Sequence, residues 1–144
     1  MSNDEMDCGE EAWWEEVTCE NVLRDEPSAM PKPVYDLEER TARFGEAVVL
    51  FAKKIPHSPV NNRLIDQLVG AGTSVGANYC EADDGVSRKD FMNRIGTCRK
   101  EVRETKLFLR MIVTSEPSLK PEARVLWREA RELHLIFSKI FRQR

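Results

Sequence analysis

The chain has 144 residues and a formal net charge of −3, with 41% hydrophobic residues. That suits one ordinary domain plus a tail, with enough apolar surface for four helices to bury a core. No run approaches the roughly 18 consecutive apolar residues of a membrane span, and the acidic N-terminus lacks the basic and apolar regions of a signal peptide. The expected compartment is therefore the cytoplasm, with no membrane partner.

The small net charge hides a split. Residues 1–33 carry ten acids and two bases, a net −8, whereas residues 34–144 carry fifteen acids and twenty bases, a net +5. Residues 86–144 alone hold fifteen bases against seven acids. An acidic extension precedes a basic body, and basic bodies usually have anionic partners.

In chain order, residues 1–33 end in Pro27, Pro31 and Pro33, a natural boundary. Trp13, Trp14, Val17 and Leu23 suit a short amphipathic helical segment, and the density of acids argues for mobility in isolation. Two adjacent tryptophans imply that something covers them at times.

The first helix is expected over 36–55. Asp36 and Glu39 stand as an N-cap with an acid at its third position. Leu37, Thr41, Phe44, Val48, Phe51 and Ile55 repeat at spacings of four and three, the seam of a packed helix. Pro56 and Pro59 stop it. The second helix, 59–84, has Ser58 as N-cap and Pro59 in its first turn. Its inner face carries Leu64, Leu68, Val75 and Tyr79. Gly70, Gly72 and Gly76 lie in its middle, and each costs about 0.5–1 kcal/mol relative to alanine, which points to close approach of a neighbour or a bend. A phosphate loop fits poorly, since no strand precedes these glycines and no lysine follows them.

Asp84, Gly85 and Val86 form a tight link. Ser87 and Asp90 cap a third helix over 88–113, whose seam runs Phe91, Ile95, Cys98, Val102, Thr105, Leu109 and Ile112. After Glu116-Pro117-Ser118 a fourth helix is expected over 119–142, with Leu119, Ala123, Leu126, Ala130, Leu133, Phe137 and Ile140 on its seam. Short links between long helices predict an all-α, antiparallel up-down-up-down four-helix bundle over residues 34–144.

Apolar residues remain outside those seams. Phe108 and Met111 on the third helix and Trp127, His134 and Phe141 on the fourth suit either a wide core face or a subunit interface. The bases are ordered too. Arg99, Arg103, Lys106 and Arg110 each follow a seam residue, as do Arg124 and Arg131 on the next helix, with Arg128 between them in the same stripe. Such stripes serve either as solvated faces or as holders of nucleic-acid phosphates. Aromatic interleaving is weak, so binding should follow charge and shape.

No catalytic arrangement emerges, and no cofactor is expected. Cys8, Cys19, Cys80 and Cys98 have neither zinc-site spacing nor a disulfide framework. Neither His57 nor His134 follows a glutamate by three, against a di-iron site. Glu81, Asp83 and Asp84 cluster at the second helix's end, where capping contacts and surface ion pairs are the simplest role.

The stretches YDLEERTARF, QLVGAGTSVGANYCEA, SRKDFMNRIGTCRKEVRET and LFLRMIV resemble the four helix bundle protein family, also called 23S rRNA intervening-sequence proteins. The resemblance spans about residues 35–141. Its most specific part includes Gly72, Ser74, Asn78, Tyr79, Glu81, Asp90 and Phe91, supported by Lys100, Glu101, Glu104 and Thr105. It implies a homopentameric bundle with a basic surface and no enzymatic activity. Some members are encoded inside bacterial 23S rRNA genes, and relatives are accessory proteins of diversity-generating retroelements that bind RNA and a reverse transcriptase. Family members often carry Arg-Ser where this chain has Gly70-Ala71, and the acidic extension is not a family feature. Met30 precedes the family-like stretch and is a second candidate translation start.

The resulting expectation is a non-enzymatic oligomeric scaffold whose basic face contacts RNA, DNA or an RNA-bound partner such as a reverse transcriptase. A protein–protein adaptor that touches no nucleic acid is the alternative, and an enzyme using Glu81, Asp83 or Asp84 a distant third. The acidic extension is further expected to compete with anionic ligands for the basic stripe.

Overall fold

The structure is a computed structural model that describes residues 36–143. The short helix expected around Trp13 and Trp14, the cysteines Cys8 and Cys19 and the candidate start at Met30 lie outside the described residues. Four helices follow one another: α1 (Leu37–Ala52), α2 (Pro59–Asp83), α3 (Arg88–Ser115) and α4 (Lys120–Arg142), with a 3-10 turn at Pro117–Leu119 before α4. No strand occurs among the described residues. Sequential helices pack on one another in an antiparallel bundle, and α1 meets α4 less extensively than the other neighbours meet.

The helix starts follow local chemistry. The Asp36 carboxylate accepts from the Glu39 amide at 3.0 Å, the Ser58 hydroxyl from the Asn61 amide at 3.0 Å, and the Ser87 hydroxyl from the Asp90 amide at 3.1 Å. Each cap satisfies an amide that has no partner within its helix. The ends differ from the expected positions for identifiable reasons. α1 stops at Ala52 rather than Ile55, because Pro56 disfavours helical geometry in the residue before it. The chain winds down through tighter bonds, Lys54 N to Phe51 O at 3.0 Å and Ile55 N to Ala52 O at 3.1 Å. α3 runs on to Ser115, and the proline-led 3-10 turn delays α4 to Lys120, with no side-chain cap.

The core is the set of seams. On α1, Leu37, Thr41, Phe44, Val48 and Phe51 are buried, as are Ile95, Cys98, Val102, Thr105, Leu109 and Ile112 on α3 and Ala123, Leu126, Ala130, Leu133 and Phe137 on α4. Buried threonines satisfy themselves within their helices: Thr41 Oγ1 donates to Leu37 O at 2.6 Å and Thr105 Oγ1 to Glu101 O at 2.8 Å. The α2 face differs from expectation. Leu64 and Tyr79 are only half-buried, whereas Asn61, Ala71, Gly72 and Ala82 join Leu68 and Val75 inside. Close approach explains Gly72, since a Cβ there would lie 2.7 Å from Val48 Cγ1.

Asn61 is a polar anchor at one end of the bundle. Its side-chain amide donates to Pro56 O at 2.8 Å and Glu116 Oε1 at 3.0 Å, while its oxygen accepts from Ser115 Oγ. A buried amide with these partners ties the α1–α2 link to the C-terminal end of α3.

Candidate nucleic-acid interface

α3 and α4 lie side by side and present the expected bases along their shared seam. The periodicity that buries Ile95, Val102 and Leu109 places the residue after each seam position on one flank of α3. Arg103 and Arg110 are exposed there, Arg99 is half-buried, and the Arg99 guanidinium carbon sits 4.3 Å from the centre of the Phe141 ring on α4. Lys106 is not part of the open stripe. It is 6% exposed, and its ammonium lies 4.9 Å from the centre of the Trp127 ring.

On α4, Arg128 and Arg131 are half-buried and Arg124 is 9% exposed. The open cationic face is therefore narrower than the spacing implied. Two of the seven bases, Lys106 and Arg124, turn inward, and Trp127 of α4 covers Lys106.

The acids of both helices are sorted elsewhere. On α4, Glu129 and Glu132 face α1 and hold the Arg40 guanidinium, whose Nε donates to Glu129 Oε2 at 3.3 Å, and Glu122 lies 3.3 Å from Lys54 Nζ. Hydrogen bonding to Glu129 raises the Arg40 pKa above its ordinary value. On α3, Glu101 is seven residues from Arg94, two helical turns along the flank that faces α2. Burial, and then the neighbouring Glu104, push the Glu101 carboxyl above its usual range. This sorting leaves the α3–α4 seam to bases.

The residues expected at a subunit interface fall into two groups. Phe108 and Met111 are half-buried on the α2 flank of α3. Trp127 is 5% exposed and packs inside the subunit, so it offers almost no surface to a second copy, contrary to the interface role expected for it. His134 and Phe141 are half-buried in the same row.

Asn78, Glu81 and Tyr79 of the motif join α2 to other helices, while Ser74 and Asp90 serve their own. Ser74 Oγ donates to Gly70 O at 2.6 Å, and Asn78 Nδ2 to Ser74 O at 2.9 Å. Arg94 on α3 reaches Asn78 Oδ1 at 3.3 Å and Glu81 Oε2 at 2.7 Å. The Tyr79 ring lies 6.2 Å from that of Phe137, centre to centre, with the planes tilted by 47°. Asp90 sits in the Ser87 cap and Phe91 is half-buried at the start of the α3 seam. Glu81 is thus engaged with Arg94, and Asp83 and Asp84 are exposed at the end of α2. Among the described residues no three His, Cys, Asp or Glu side chains gather as metal ligands, and no helix is long and apolar enough to cross a membrane.

Sequence reasoning missed one surface feature, a groove between α1 and α2 lined by Ala42, Gly45, Val49, Gly76 and Ala77 with acids at its rim. Its signal was the run Val48-Val49-Leu50, in which only Val48 belongs to the seam.

A family model described as 23S rRNA-intervening sequence protein matches residues 35–139. The chain belongs to this family. A crystal structure of a protein of unknown function from the S23 ribosomal protein family of Bacteroides thetaiotaomicron is similar, with 25% sequence identity and a TM-score of 0.64. The match covers 72% of this chain and 96% of that one. No curated protein matches the chain. The family match ends three residues short of the end of α4 and includes both helices of the basic seam.

Proposed function

We propose that this member of the intervening-sequence family is a non-enzymatic, self-assembling scaffold whose α3–α4 face holds the phosphates of an RNA. The observation that carries the reading is the sorting of charge. Arg103 and Arg110 are exposed on one flank of α3, the flank on which Arg99 meets Phe141 of α4, while Glu122 and Glu129 turn to Lys54 and Arg40 of α1. A cationic surface attracts a polyanion through release of its counterions. Assembly into five copies, and a reverse transcriptase as an RNA-bound partner, follow from the family resemblance. The acid cluster near Glu81 gives an enzyme little to work with, because Glu81 is already engaged with Arg94.

The adaptor alternative relied on a protein partner covering Trp127 and Phe141. Trp127 is covered by its own subunit, and Arg99 lies over Phe141. No specific observation favours that reading.

The test is the affinity for a structured RNA and for single-stranded RNA across a salt series. Binding should weaken steeply with salt, with a logarithmic slope of about −0.7 per phosphate contact on single strands. Affinity that ignores salt, or that survives replacement of Arg103 and Arg110 together by glutamine, removes the proposal.

A further inference from the structure

The groove between α1 and α2 has an apolar floor and an acidic rim. Ala42, Val49 and Ala77 line it, Glu38 and Glu46 flank it, and Leu50 at its edge is 62% exposed. Exposed large apolar side chains beside a concave strip of small ones suit a helical ridge better than a flat surface. The lining stretch of α1 from Glu38 to Leu50 spans about 18 Å at 1.5 Å per residue.

A ridge of matching length and opposite charge exists on the same molecule. Val125, Arg128, Glu132, Leu135 and Lys139 recur at alternating spacings of three and four, which places them on the outer side of α4. Val125 is 67% exposed and Leu135 40% exposed, and ten residues put them about 15 Å apart. Arg128 and Lys139 supply cations between and beyond them. Glu132 is drawn toward α1 of its own chain by Arg40. The charge of the two halves agrees: residues 36–85 carry eight acids and five bases, residues 86–144 seven acids and fifteen bases.

We infer that the α1–α2 groove seats the outer ridge of α4 from a second copy of this chain. The inference rests on the self-assembly proposed above and specifies its surfaces. Groove and ridge are different surfaces, so the contact is head-to-tail and propagates until rotation closes a ring. Arg103 and Arg110 lie on α3 and are not part of the ridge, whereas Arg128 belongs to it, so the contact takes Arg128 and leaves the two α3 arginines outside the seated residues. The chain's own residues 1–33 suit the groove poorly, because their net −8 meets a rim of Glu38, Glu39 and Glu46.

Native mass spectrometry of the full-length protein, compared with Ala77→Arg and Leu135→Glu, tests the contact. Both positions are exposed on helices, and far-UV circular dichroism confirms that each variant folds. The wild type should be oligomeric, and each variant should weaken association by about tenfold or more. A benzophenone side chain at Leu50, in a mixture of unlabelled and nitrogen-15 chains, should cross-link to residues 125–142 of the other copy. A monomeric wild type overturns the inference. So do variants that keep the wild-type mass, or cross-links that stay within one chain and end in residues 1–35. RNA binding is read separately on Leu135→Glu. If that variant dissociates but the wild type binds no RNA, the contact stands and the RNA reading falls; RNA binding with unaltered assembly in both variants sinks the contact alone.

Discussion

The Lys106 ammonium lies 4.9 Å from the centre of the Trp127 ring, and both side chains are buried between α3 and α4. A cation in such a place is held by the negative face of the indole and is screened from outside ligands by its own subunit. Membership of a sequence stripe is therefore not membership of a surface. Replacing Arg103 or Arg110 by glutamine should flatten the salt slope of single-stranded RNA binding by about 0.7 each. Lys106→Met should leave that slope unchanged. Trp127→Ala should instead cost about 3–5 kcal/mol of stability by opening a cavity. Filter binding across a salt series and urea denaturation read the two effects. A Lys106→Met slope that drops as far as that of Arg103→Gln would contradict the placement.

The contact of α1 with α4 depends on a few groups. Arg40, one-fifth exposed, spans Glu129 and Glu132 with its fork, and Lys54 pairs with the exposed Glu122. A planar fork partly shielded from water outweighs an exposed lysine pair, whose worth is about 0–1 kcal/mol. Arg40→Ala should cost about 1–2 kcal/mol, and Arg40→Lys should recover only part of it, because an ammonium lacks the planar fork that takes both oxygens of Glu129. Lys54→Ala should fall within about 0.5 kcal/mol of wild type. Hydrogen exchange should show the Arg40→Ala loss as faster opening of α1 with α3 unchanged; uniform loss across all four helices would show that the clamp holds no particular joint.

Much of the fold was legible because one rule covers most of it. Seam residues at spacings of three and four on α1, α3 and α4 are buried nearly without exception, and caps at Asp36, Ser58 and Ser87 form as their spacing requires. The rule weakened on α2, where small residues replace large ones at the contact and periodicity has little to read. It also weakened wherever two helices compete for one seam. Lys106 and Arg124 look exposed on a wheel drawn for one helix, and for Lys106 it is Trp127 of the neighbouring helix that covers the ammonium. Asn61 carries no apolar signal, and its partners lie up to 55 residues away. The α1–α2 groove depends on which pair of helices leaves a gap, which no single-helix pattern encodes.

Two neighbouring glycines on α2 should respond in opposite ways to alanine. At Gly72 a Cβ would meet both Val48 methyls, at 2.7 and 2.8 Å, and a β-branched side chain has few rotamers to escape into. Gly72→Ala should destabilise by about 1–3 kcal/mol despite the better helix former. At Gly70 a Cβ meets nothing within 4 Å, so Gly70→Ala should stabilise by about 0.5–1 kcal/mol. Thermal melts of the two variants decide it. Equal shifts would mean that α1 and α2 are not pressed together at Val48.

Cys98 makes stability depend on alkaline pH in a definite direction. The thiol is fully buried and donates to Val75 O at 3.5 Å, and burial pushes its pKa from 9.0 up to about 12. In the unfolded chain the thiol ionises near its ordinary value. Between those two values the unfolded state has lost a proton that the folded state keeps. The contribution of this group is therefore intact below pH 9.0 and is lost as pH rises toward about 12. One such proton corresponds to a slope of about 1.4 kcal/mol per pH unit. Cys98→Ala lowers stability at neutral pH through its small cavity, but its stability should fall less steeply between pH 9 and pH 11 than that of the wild type, by up to that slope. Urea titrations at intervals over this range measure the difference. Parallel curves for the two proteins would place the Cys98 thiol in contact with water and remove it from the core.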